Sequence, residues 1–152
     1  MTNPFDLRKE ERRREWQKFR NNELSKNLSD KDHLQMVVDW WSKAPLSSRS
    51  IDPYDPDTWP SGWELVMNGD ICEFSMALGM EQTLLLRDGR WTPERVQLWL
   101  ISDEENIKLV VVIDNKWFLN YFHGILFDCS KADNVSIIQR YKFFENKHVL
   151  IE

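Results

Sequence analysis

Cysteine occurs only twice in these 152 residues, as Cys72 and Cys129, and histidine three times, as His33, His123 and His148. Two distant thiols supply no disulfide framework, so reduced cysteines in a reducing compartment are expected. The five residues do not stand at zinc-type spacing, and neither a metal nor any other cofactor is predicted. Long apolar runs are missing as well. The longest, around 109–113, falls far short of the about 20 residues that span a bilayer, so no transmembrane helix and no membrane partner are predicted. The opening Met1-Thr2-Asn3-Pro4 lacks the pattern of a secretory leader, and a cytoplasmic location is expected. Neither an internal repeat nor a low-complexity tract interrupts the chain.

Aromatic residues, by contrast, are abundant. Eight Trp and eight Phe suit either a core filled by large rings or a surface with sticky anchors. Charge is unevenly spread: the net charge is −5, yet residues 8–20 carry seven cations (Arg8, Lys9, Arg12, Arg13, Arg14, Lys18 and Arg20) against three Glu. Interleaving with Glu10, Glu11 and Glu15 reads as a solvated helix with i, i+4 ion pairs more than as a phosphate-binding arm, so nucleic acid is not an expected partner. With Asp6 as its cap this helix is predicted over 7–24. Its large apolar residues, Leu7, Trp16, Phe19 and Leu24, leave a stripe too thin for core packing. Residues 1–28 are therefore expected to form a charged arm that docks on a protein partner through Arg12, Arg13, Trp16 and Phe19, with one domain following over 29–152.

Ser29-Asp30-Lys31-Asp32 signals a second helix, which has a proper buried face in Leu34, Val37, Val38 and Trp41. Residues 44–62 hold Pro45, Pro53, Pro56 and Pro60, an extended ordered loop. Its Asp52, Asp55 and Asp57 offer the oxygens calcium prefers, but the Gly and distal Glu of a calcium loop are absent, and turn chemistry is the reading. Trp59 and Trp63 flank Pro60 as core and loop staples, or as further partner contacts. A short helix over 63–67 pins the loop.

The run Gly69-Asp70-Ile71-Cys72-Glu73 carries the main chemical signal. Asp70 as N-cap and Glu73 as its partner start a helix over 71–86 and place the Cys72 thiol in its first turn, where unpaired N–H groups favour a thiolate. Most such cysteines are nonetheless buried hydrophobes. Strands are predicted over 96–101, 108–113, 117–122, 136–141 and 148–151, which makes an α+β domain: helices first, then an antiparallel sheet packed on the central Cys-bearing helix.

The segment GDICEFSMALGMEQTLLL (69–86) resembles the Gly-Asp-Cys-Glu-Asp-Tyr-Ala motif of bacterial transglutaminase-like cysteine proteinases, with Ile71 inserted before the cysteine. IKLVVVIDNKWFLNY (107–121) resembles the paired strands that carry the family's His and Asp. The resemblance implies a papain-like fold with Cys72 as nucleophile, Asn120 as the orienting residue and Lys108 at the position of the base. Asn can orient a catalytic His, but an ordinary Lys is protonated at neutral pH and cannot take a thiol proton. His123, three residues past Asn120, would face the other way in an unbroken strand. The expectation is thus a non-catalytic binding or structural module on an eroded enzyme scaffold, serving a larger protein assembly. The charged arm and the loop DPYDPDTWPSGWEL also resemble small proteins of contractile-tailed bacteriophages, which implies a virion or assembly setting. The alternative is an active cysteine hydrolase or acyl-transferase that uses Cys72.

Overall fold

Helices come first and strands second along the chain, as the patterning predicts. The computed structural model describes residues 3–24, 27–48, 51–86, 89–104 and 106–151. Helix α1 spans Lys9–Lys18, shorter than the expected 7–24. Pro4 opens a separate 3₁₀ turn, Pro4–Asp6, capped by Asn3 and not by Asp6, and Leu7 is extended, so the helix starts only after Arg8. A π-helical turn, Phe19–Glu23, follows it.

The expected arm is part of the core. Trp16, Phe19 and Leu24 belong to the same buried cluster as α2 (Asp30–Ser42) and the central helix, so no boundary separates 1–28 from the rest. The reason lies in polar side chains that close what the thin apolar stripe leaves open. Arg12 is buried and donates to the carbonyls of Val66 (2.7 Å), Leu7 (3.0 Å) and Pro4 (3.3 Å). Trp16 meets Trp41 and Trp63 edge-on, and the Arg20 guanidinium lies 4.4 Å and 4.8 Å from the Trp16 and Trp63 ring centres. Arg12, Trp16 and Phe19 are therefore unavailable as the exposed partner anchors that the sequence suggested, while Arg13 and Trp63 are half-buried.

α2 begins as predicted, with Ser29 Oγ accepting the Asp32 N–H at 3.1 Å. α3 (Gly62–Asn68) opens on a reciprocal capping box between Ser61 and Glu64. It ends at Gly69, whose φ of 69° suits glycine and where a Cβ would lie 2.7 Å from Arg12 Nη1. The loop before α3 is stapled by Trp59, whose Nε1 donates to the Asp52 carbonyl at 2.7 Å and whose ring packs on Tyr141 and His148.

α4 (Glu73–Leu85) is buried on nearly all sides from Ser75 to Leu84, as a central helix must be. Its N-cap is Cys72, not Asp70. Ile71 forms a parallel bridge to Leu46, and its carbonyl accepts the Ser47 N–H at 2.9 Å, so the chain stays extended through 71. Asp70 instead accepts the Ser47 hydroxyl at 2.6 Å.

Strands β1 (Val96–Asp103), β2 (Asn106–Ile113), β3 (Trp117–Phe122), β4 (Ile125–Asp128), β5 (Val135–Phe144) and β6 (Lys147–Ile151) form one antiparallel sheet in the order β4-β3-β2-β1-β5-β6. β4, four residues long, is too short to show a period and was not among the predicted strands. One sheet face, with Leu98, Leu100, Leu109, Val111 and Leu119, joins the core shared with α4. Ile101, Val110, Val112, Phe118 and Tyr121 make a smaller cluster of their own.

Candidate functional site

The head of α4 meets the ends of β2 and β3, and this junction brings together most of the residues that the motif resemblance singled out. A cavity of about 210 Å³ is lined there by Glu73 and Phe74 of α4, Lys108 of β2, Asn120 of β3 and His123 just beyond it. Cys72 is adjacent but enclosed, with 1% of its surface exposed, and is not among the lining residues.

The sulfur acts as a capping atom. Cys72 Sγ accepts the Ser75 N–H at 3.4 Å, and Ser75 Oγ accepts the Cys72 N–H at 2.9 Å, a Cys-x-x-Ser form of the capping box. Ser75 carries no role in the sequence reading, although its spacing from Cys72 was the available signal.

Asn120 has φ 73°, a left-handed conformation that Asn tolerates better than most residues, and the register between β3 and β4 shifts beside it. Its amide donates to Glu73 O at 2.8 Å and to Leu109 O at 3.0 Å, tying the first turn of α4 to β2. Both amide hydrogens are thus spent on backbone carbonyls. Because β3 kinks here, His123 lines the same cavity as Asn120, contrary to the opposite facing of an unbroken strand.

Lys108 is half-buried. Its Nζ donates to the Tyr121 carbonyl at 2.8 Å and lies 4.4 Å and 4.7 Å from the Tyr121 and Phe122 ring centres. Tyr121 in turn donates its hydroxyl to Asp103 at 2.6 Å. Burial first, and the Asp103 hydrogen bond and charge second, push the Tyr121 phenol up to about 12.

The other two histidines have partners elsewhere. Trp91 Nε1–H donates to His33 Nδ1 at 2.9 Å, so the buried His33 ring places its proton on Nε2, facing the Leu24 carbonyl. His148 Nε2 sits 2.6 Å from Glu81 Oε1, between the Trp59 and Phe143 rings. Glu81 is fully buried at mid-α4, and its Oε2 has no hydrogen-bond partner among the described residues. Sequence reading missed this pair, since residues 67 positions apart carry no local signal.

No family model matches the chain, and no curated protein matches it in sequence. Among solved structures it is similar to Legionella pneumophila LapG at 15% identity and a TM-score of 0.70, over 97% of this chain and 83% of LapG. The calcium-bound form of LapG matches at 15% and 0.70, over 92% of this chain and 78% of that one. The EGTA-treated form matches at 14% and 0.69, over 90% and 76%. At such identity the likeness speaks to the fold alone. The chain has the α+β, transglutaminase-like fold of LapG, with Cys72 at the head of its central helix.

Proposed function

We propose that the chain is a non-catalytic, protein-binding module on a transglutaminase-like scaffold. The observation that carries this reading is Lys108: the residue at the expected base position has its charged end engaged by the Tyr121 carbonyl and two aromatic rings. Asn120 supports it, because an orienting amide accepts the imidazole N–H at its oxygen, and no histidine among the described residues donates to Asn120 Oδ1. The loop resemblance to contractile-tailed phage proteins supports a virion or assembly setting for such contacts.

LapG has been solved with calcium bound. Among the described residues the acidic loop over 52–57 does not assemble a cage for that ion. Calcium needs six or more converging oxygens, whereas Asp52 Oδ1 accepts the Tyr54 N–H as a turn cap. No group of three or more His, Cys, Asp or Glu side chains placed to hold a metal occurs among the described residues.

One observation favours the competing reading of an active hydrolase: Cys72 Sγ receives an N–H at the head of a helix, and His123 lines the neighbouring cavity. Alkylation separates the two. Burial and then the Asp128 charge raise the Cys129 thiol above its ordinary value, making it a slow internal reference. With iodoacetamide at about pH 6, mass spectrometry is expected to show Cys72 labelled no faster than Cys129. Labelling of Cys72 about a hundredfold faster, abolished by His123→Ala, would overturn the non-catalytic reading.

A further inference from the structure

Resting on the binding-module reading, we infer that the cavity at the head of α4 takes a single large apolar side chain from an extended polypeptide, with an adjacent carboxylate of that polypeptide paired to Lys108. Three properties of the cavity select this occupant. The first is size. An apolar cavity of about 150 Å³ holds a benzene molecule, so about 210 Å³ accommodates one aromatic or branched side chain and no folded element.

The second is the character of its mouth. Leu46, Ile107 and Phe122 line the cavity and are 45%, 41% and 44% exposed, and Ile125, 50% exposed, pairs with Phe122 across the β3–β4 turn. Large apolar side chains gathered at one opening mark a contact surface, whereas single exposed ones need no explanation.

The third is the polar pattern. Lys108 uses one N–H on Tyr121 O and holds its ammonium against two rings, so two N–H groups stay available on a cation that is already positioned. Asn120 Oδ1, on the same wall, accepts no hydrogen bond among the described residues. Donors and an acceptor together on one wall match the C=O and N–H groups along the edge of an extended strand, and the lysine adds preference for negative charge next to the inserted side chain. Glu73, the only carboxylate among the described lining residues, sits on α4 and disfavours a second acidic residue beyond the first.

The test titrates the full chain by NMR with three blocked tetrapeptides, acetyl-Ala-Phe-Asp-Ala-amide and its Phe→Ala and Asp→Lys counterparts, and with two tripeptides of free C-terminus, acetyl-Ala-Phe-Asp and its Asp→Ala counterpart. The first is expected to shift resonances of 73–76, 107–109 and 120–123, with either replacement weakening it at least about tenfold. Binding by the free-terminus peptide that survives Asp→Ala would assign the carboxylate to a chain end instead of a side chain. Lys108→Met is expected to erase the Asp-over-Lys preference while keeping the Phe-over-Ala preference, and Lys108→Arg to keep both. Each preference is a ratio within one variant, so loss of overall stability does not mimic it. Equal binding of all peptides, shifts elsewhere only, or an Asp preference intact in Lys108→Met would overturn the inference. Cleavage of a peptide during titration would overturn the non-catalytic reading and leave the selectivity standing.

Discussion

Replacing Thr83 with Val removes one oxygen from the centre of the molecule and is expected to be far more damaging than its size suggests. Thr83 Oγ1 accepts Trp16 Nε1–H at 2.9 Å and Trp41 Nε1–H at 2.8 Å, and donates to Gly79 O at 2.7 Å. A hydroxyl offers one donor and two acceptor sites, so this one is fully used. Both indoles are completely buried, and Val leaves two N–H groups with no partner. At about 1–3 kcal/mol for each unsatisfied donor the loss is about 2–6 kcal/mol, against about 1 kcal/mol regained from the added methyl. A net destabilisation of about 1–5 kcal/mol should appear in urea unfolding followed by tryptophan fluorescence, as a lower midpoint with an unchanged slope. Thr83→Ser keeps the oxygen and should lose only about 1 kcal/mol. Trp16→Phe should cost less in Thr83→Val than in the natural chain, because the orphaned N–H is already counted. Valine and serine variants of equal stability would refute the hub.

Gly79→Ala raises helix propensity by about 1 kcal/mol, yet its Cβ would lie 2.5 Å from Trp41 ring atoms. The variant should be less stable by about 1–3 kcal/mol, and Trp41→Phe should relieve part of that in a double-mutant cycle; a stabilised Gly79→Ala would show that the ring is free to move. Tyr121 holds its proton up to about 12 in the folded chain, while the unfolded chain releases it near 10.0, so its contribution is intact below about pH 10 and fades as pH rises toward 12. Tyrosinate absorbance should show a late step that Tyr121→Phe removes and Asp103→Asn moves to lower pH. Tyr141, raised mainly by burial and then by the Asp52 charge, leaves a residual alkaline dependence in both variants.

The parts of the fold that follow from short-range patterns were legible in the sequence. Ser29 capping α2, the short helix expected over 63–67 and the apolar runs of β1, β2 and β3 depend on neighbours a few residues away. The rest depends on partners far off in sequence. α1 looked like an arm because nothing near it shows that Arg12 will close the end of α3 or that Thr83 will receive Trp16. The start of α4 moved from Asp70 to Cys72 because Leu46, some 25 residues earlier, holds Ile71 extended. Cys72, Lys108 and Asn120 were singled out by motif, and the structure places them around one junction. His123 was set aside on a strand parity that the left-handed backbone of Asn120 breaks.

Cys72 also has a use independent of any chemistry it performs. With 1% exposure and its sulfur occupied by the Ser75 N–H, a reagent reaches the thiol only when the first turn of α4 comes apart. Where reclosing outpaces the reagent, the labelling rate is the intrinsic rate multiplied by the opening equilibrium of that turn. The residue is thus a built-in gauge of local fluctuation at the junction where Asn120 clamps the first turn of α4 to β2. A peptide that fills the neighbouring cavity should slow the gauge in proportion to its occupancy, giving a readout of binding that requires no dye, tag or turnover.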